Sequence, residues 1–176
     1  MEQSIKDFFE KIGLEKQPTN EELRKAYEAA IRDRAIIYYF IWKTIQELHP
    51  DIDADEIMRE ASIRFGIYKG EKWGKIENAG QALRAQSSKP GVLAFEQEYI
   101  TMTDDYAEKN FHHCPHLAAF RELGAPEEEV NKLCQDMLAH GDYGIFSPHK
   151  AVHMEFKQQI SKGDPVCAMC ITTVKK

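Results

Sequence analysis

The chain has 176 residues, 43% of them hydrophobic and 10% aromatic, which suits one compact domain with a core of its own. Its formal net charge is −6 and no cluster of Lys and Arg stands out, which argues against nucleic acid or an anionic membrane as partner. The longest apolar run, Ala35 to Trp42, is too short to span a bilayer, and Met1 to Lys6 begins a polar amphipathic pattern without a signal peptide. A cytoplasmic location is therefore expected, with the four cysteines as reduced thiols.

Asp7, Phe8, Phe9 and Ile12 predict a short first helix ending at Gly13. Pro18-Thr19-Asn20 breaks the chain, and Thr19 with Glu22 reads as a capping box. A long helix follows from about Asn20 to Leu48, stopped by Pro50. Its middle is apolar nearly all round, so burial on more than one side is expected, and a partner subunit in a homodimer is one way to supply it. Asp53 with Glu56 caps a further helix through Ile57, Ala61 and Phe65 towards Gly66. Another helical piece carries Ile76, Ala79, Leu83 and Ala85, and Gly66, Gly70 and Gly74 are expected to chop this region into short units.

Ser87 to Gly91 is the clearest break, and after it the period changes from helical to two. Phe95 to Met102 and Tyr106 to His113 read as a pair of strands turned by Thr103-Asp104-Asp105. One helix spans Pro115 to Leu123. A second starts near Pro126, carries Val130, Leu133, Cys134, Met137 and Leu138, and closes at His140-Gly141. Gly141-Asp142-Tyr143-Gly144 reads as a loop, with Asp142 either a turn residue or the orienter of an imidazole. Val152 to Phe156 and Val166 to Val174 are the last strands. The expected fold is α+β, a single domain over 1–176. A helical part over 1–86 packs on a small antiparallel sheet of ββααββ order over 92–176.

The densest chemistry is Asn110-Phe111-His112-His113-Cys114-Pro115-His116. Pro115 fits the first helical position, which puts Cys114 at the N-cap. Unpaired backbone N–H groups and the helix dipole would both favour its thiolate there. His113 projects from the strand end beside it as a candidate acid or base, and His149 or His153 could reach the same place. Cys167 and Cys170 form a C-x-x-C, but residues three apart on a strand face opposite ways, so one thiol should line a cavity and the other pack. Cys134 lies on an apolar helix face, the usual setting of a core thiol, and Asp136, two residues on, points away from it.

Taken together, the strand entering Cys114-Pro115, the helix ending Glu122-Leu123-Gly124, Leu133-Cys134-x-Asp136, and Lys162-Gly163-Asp164-Pro165-Val166-Cys167 resemble the L-2-amino-thiazoline-4-carboxylic acid hydrolase family. Ile31-Arg32-Asp33-Arg34 and Phe65 to Gly70 are similar to that family's first half, so the resemblance covers about Ile31 to Ile171. It implies hydrolytic opening of a small ring acid containing sulfur and nitrogen. The family's recurring positions fall on Cys114, Cys134, Asp136 and Cys167.

Two readings follow. In the first the protein is a small-molecule hydrolase acting on a cyclic C=N or C–N bond. Cys114 is its nucleophile, His113 its acid/base, the N–H groups after Pro115 its anion stabilisers, and Cys167 and Asp136 complete the site. A variant has His113, Cys114 and Cys167 holding a divalent metal that activates water. In the second the excess of Cys and His marks a non-catalytic sensor that binds a metal or small ligand.

Overall fold

The computed structural model describes residues 16–175, so the short helix expected around Asp7 to Ile12 lies outside the described residues. Helix α1, Asn20–Leu48, starts where its capping box places it: Glu22 N donates to Thr19 Oγ1 at 3.2 Å, and Thr19 N donates to Glu22 Oε2 at 2.7 Å. It packs on one side only. Ile31, Ala35 and Trp42 are buried, whereas Ile37, Phe40 and Ile41 are 56%, 50% and 46% exposed. The expected burial on more than one side is therefore not met among the described residues. The helices Ala54–Gly70, Lys89–Ala94 and Pro115–Glu122 contact α1, and the helix Ala79–Gln86 contacts the sheet.

Helix α2, Ala54–Gly70, is opened by Asp53, whose Oδ1 accepts from Glu56 N at 2.9 Å. It runs unbroken through Gly66 to a single 3-10 turn at Glu71–Trp73. The glycines expected to interrupt it have another use. A Cβ on Gly66 would collide with the carbonyl of Gly141 and lie 2.8 Å from the backbone N of Ile145. Helix α7, Ala139–Phe146, thus crosses α2 backbone against backbone. The same contact explains why Gly141 to Gly144, expected as a loop, is helical. Gly141 and Gly144 on α7 meet Gly66 on α2, Gly70 meets Ile145, and burial of that interface offsets the weak helix propensity of glycine.

Asn78 caps α3, Ala79–Gln86. The break expected at Ser87 to Gly91 contains a helix start instead: Ser88 Oγ accepts from Gly91 N at 3.3 Å and opens α4, Lys89–Ala94, with Pro90 in its first turn. Strand β1 therefore begins at Gln97 and runs to Met102; β2 is Tyr106–Phe111. Then come α5, Pro115–Glu122, and α6, Glu127–Lys132. A π-helical segment, Leu133–Leu138, leads from α6 directly into α7, so the helix runs on past His140-Gly141 to Phe146. Strands β3, Val152–Gln158, and β4, Cys167–Thr173, complete an antiparallel sheet of order β1-β2-β4-β3. The fold is α+β, a helical N-terminal half followed by a four-stranded sheet with its helices.

Cross-strand partners show which side chains share a face. Ala107, Lys109 and Phe111 on β2 lie opposite Ile171, Met169 and Cys167 on β4, and Met154 on β3 lies opposite Ile171. This face carries one core, with Leu83, Phe146 and Val152. A second core sits among the helices around Trp42, Met58, Leu117, Phe120, Leu133 and Met137. Cys167 packs against the first core, Cys114 and Cys134 against the second. These three cysteines thus draw on both cores, and Cys167 is near enough to Cys114 to act on it through its charge.

Candidate functional site

Cys114 is the N-cap of α5, with extended φ and ψ of −128° and 103°, and Pro115 starts the helix. Burial dominates its chemistry and pushes the thiol up to about 11, although the N–H groups of Leu117 and His116 act in the opposite direction. The helix N-terminus therefore favours the thiolate as expected, but loses to desolvation. His116 is held down to about 3, first by burial and then by the positive charge of Arg34. Arg34 Nη2 lies 3.3 Å from His116 Nε2. A guanidinium only donates, so Nε2 accepts and the ring proton sits on Nδ1, which lies 4.0 Å from Cys114 Sγ. The imidazole nearest the thiol thus points an N–H at the sulfur.

Two further thiols join this cluster. Cys134 stands in the π-helical segment, where burial holds it well above the ordinary thiol range and the Cys114 and Cys167 sulfurs add to the effect. Cys167 is also raised by burial, against the pull of Ile160 N, which donates to its Sγ at 3.3 Å. Asp142 on α7 faces the same interior closely enough for its charge to act on two of these thiols. Burial lifts its carboxyl to about 6, against the attraction of Lys109 and Arg34. Its charge in turn raises Cys114 and Cys167. Among the described residues no donor lies within hydrogen-bond distance of the Asp142 carboxylate.

Lys109 faces the same interior from β2 and is fully buried. Its Nζ donates to Gln97 Oε1 at 2.9 Å and to Gln86 Oε1. Burial lowers it to about 8, and the Asp142 charge partly restores it. Neither Asp142 nor Lys109 is a conspicuous sequence signal. The first hides in a glycine-rich stretch that reads as a loop. The second was there to be found in the strand alternation, as a lysine at an inward position between Ala107 and Phe111.

The other sequence candidates lie elsewhere. His113 Nε2 is 3.1 Å from Glu28 Oε1 on α1. Asp136 is exposed, and its backbone carbonyl accepts from Arg59 Nε at 2.8 Å. Cys170 is buried on the opposite face of β4 from Cys167, across from Glu108 and Glu155, as its spacing implies. His149 Nε2 is 3.0 Å from the Gly70 carbonyl, and His153 is exposed. Among the described residues no group of three or more His, Cys, Asp or Glu side chains is placed to hold a metal ion, and His113, engaged by Glu28, does not complete a site with Cys114 and Cys167. A surface cleft of about 810 Å³, lined among others by Glu71, Lys75, Glu77, His149 and Lys150, includes none of the cysteines, nor Asp142 or Lys109.

What the fold and site define is an α+β protein with an interior cluster of three thiols, a neutral imidazole, a high-pKa carboxyl and a buried lysine. No described helix is long and apolar enough to cross a membrane. The chain belongs to the L-2-amino-thiazoline-4-carboxylic acid hydrolase family, whose model matches residues 28–171. That span holds every member of the cluster, and it supports a hydrolase-like function at the level of the family. A comparison with curated proteins found no match.

Proposed function

We propose that the protein hydrolyses a small ring acid at a C=N/C–N carbon, as the family name describes, with Cys114 as nucleophile and Asp142 as its proton-transfer partner. The observation that carries this reading is the Asp142 carboxyl, raised by burial to about 6, whose charge reaches a thiol that caps a helix. A carboxyl titrating there both accepts and returns a proton near neutral pH.

The steps balance as follows. The Cys114 Sγ–H proton passes through one intervening water to the Asp142 carboxylate, since the two side chains make no direct hydrogen bond, and the S–C bond forms at the amidinium carbon of the ring. The electron pair of the C=N bond moves to the ring nitrogen. Asp142 then gives its proton to that nitrogen, and the ring C–N bond breaks with its pair leaving on nitrogen. The carbon remains attached to Sγ. Water adds to it, and the C–Sγ pair returns to sulfur, which recovers its proton. The N–H groups of His116 and Leu117 and His116 Nδ1–H stabilise the sulfur whenever it is anionic. His113 and Asp136 are assigned no step in this reading, and Cys167 lines the site.

The test is turnover of L-2-amino-thiazoline-4-carboxylate by the purified protein, followed by mass spectrometry of the opened product. Cys114→Ala should lower kcat by roughly 10³-fold or more. Cys134→Ala, tested alongside, should retain most of the rate. Turnover that survives loss of Cys114 would end the covalent mechanism, and absence of turnover in the unaltered protein would end the assignment of this substrate.

A further inference from the structure

We infer that Lys109 and Asp142 are the two poles of a site for a zwitterion: Lys109 binds the substrate's carboxylate, Asp142 faces its amidinium, and Lys109 is the residue that selects for the acid. The inference rests on the ring-hydrolase reading above and adds to it a recognition residue and a substrate orientation.

The first observation is a buried cation without a counter-ion. Lys109 is fully buried, and among the described residues no carboxylate lies within ion-pair distance of its Nζ. A buried charge is ordinarily neutralised by an opposite charge, because water no longer solvates it. Here the Nζ touches two neutral amide oxygens, Gln86 Oε1 at the end of α3 and Gln97 Oε1 at the start of β1. Two amide oxygens on one ammonium occupy the positions that the two oxygens of a carboxylate would take, without supplying the charge. The Phe111 and Tyr99 rings stand 5.0 and 5.7 Å from the Nζ and flank its approaches.

The second observation is the opposite pole. Asp142 is a half-buried carboxylate that no donor reaches among the described residues. It senses Lys109, yet the two form no ion pair. A cation and an anion that feel each other's charge without forming an ion pair are both neutralised by one molecule carrying both charges. The polarity also fits the chemistry. Asp142 acts on Cys114 and Cys167, so a ligand with its amidinium at Asp142 presents its amidinium carbon to the thiol side. Its carboxylate then displaces one of the glutamine amides from Lys109 and gains a charge-assisted bond in place of a neutral one.

The experiment compares two probes, L-2-amino-thiazoline-4-carboxylate and 2-amino-2-thiazoline, which keeps the ring and lacks the carboxylate. Their binding is measured by calorimetry on the Cys114→Ser protein, and their KM on the unaltered protein where turnover is seen. The acid should bind roughly 10- to 100-fold more tightly than the decarboxylated ring. Lys109→Met should abolish that difference by weakening the acid alone, and Lys109→Arg should restore part of it. Equal affinity for the two probes in the Lys109 protein overturns the inference, and that comparison needs no lysine variant to fold. Discrimination unchanged in Lys109→Met overturns it as well. Lys109-dependent binding of the acid without turnover would retain this site and remove the hydrolase reading. Turnover indifferent to the carboxylate would do the reverse.

Discussion

Replacing Asp142 by Asn removes one ionisation and little volume, so it isolates the cost of holding a carboxylate in this interior. The carboxyl moves from 3.8 to about 6 on folding, a displacement worth about 3 kcal/mol between its two protonation states. Because the folded value is the higher one, the protonated form is favoured by folding. That contribution is complete below about 3.8, is lost as pH rises through about 6, and is absent above it. Asp142→Asn should therefore match the native protein in stability near pH 4, gain on it between pH 4 and 6, and exceed it by up to about 3 kcal/mol at pH 8. For a chain of this size that gain corresponds to roughly 6–12 °C in Tm. Urea unfolding at a series of pH values reads the difference directly. A stability difference independent of pH, or a variant less stable than the native protein at pH 8, would refute the burial argument. The same substitution should remove turnover of the ring acid, because Asn neither accepts nor returns the Cys114 proton.

Burial holds the Cys114 thiol near 11, so its alkylation by iodoacetamide should keep accelerating through pH 9 to 10; a plateau below pH 8 would show that the helix N-terminus wins after all. His116 should remain neutral from pH 5 to 8, with no titration of its ring protons by NMR; a midpoint above pH 5 would contradict its burial against Arg34. Gly66→Ala places a methyl against the Gly141 carbonyl and should cost about 2–3 kcal/mol in urea unfolding, with lower activity because α7 carries Asp142; a neutral effect would mean that the two helices are not in backbone contact. Mild oxidation should give no Cys167–Cys170 crosslink in peptide maps, since the two sulfurs lie on opposite faces of β4; recovery of that disulfide from folded protein would refute the register.

Local chemistry read from the sequence held where the determinants were themselves local. Thr19 with Glu22 and Pro50 bound α1, and Pro115 put Cys114 at an N-cap. The alternation of β4 places Cys167 and Cys170 on opposite faces, as their spacing implies. It failed where one feature has two local meanings. Ser88 and Pro90 are both loop residues and helix-start residues, and the second meaning applies. Gly66 and Gly70 can break a helix or admit a neighbour, and α7 decides between the two.

The sequence by itself determined the starts of α1, α2 and α5, the α+β class and the family resemblance, because caps, periodicity and short motifs act within a few residues. Only the tertiary structure decided what surrounds each reactive group. It turned the segment around Asp142 into a helix packed on α2, gave His113 to Glu28, placed Asp136 on the surface, and buried Lys109 without a counter-ion among the described residues. Desolvation and charge neighbours arise from groups brought together across the chain, as Glu28 meets His113 and Arg34 meets His116. Spacing along one strand or helix carries no record of such meetings.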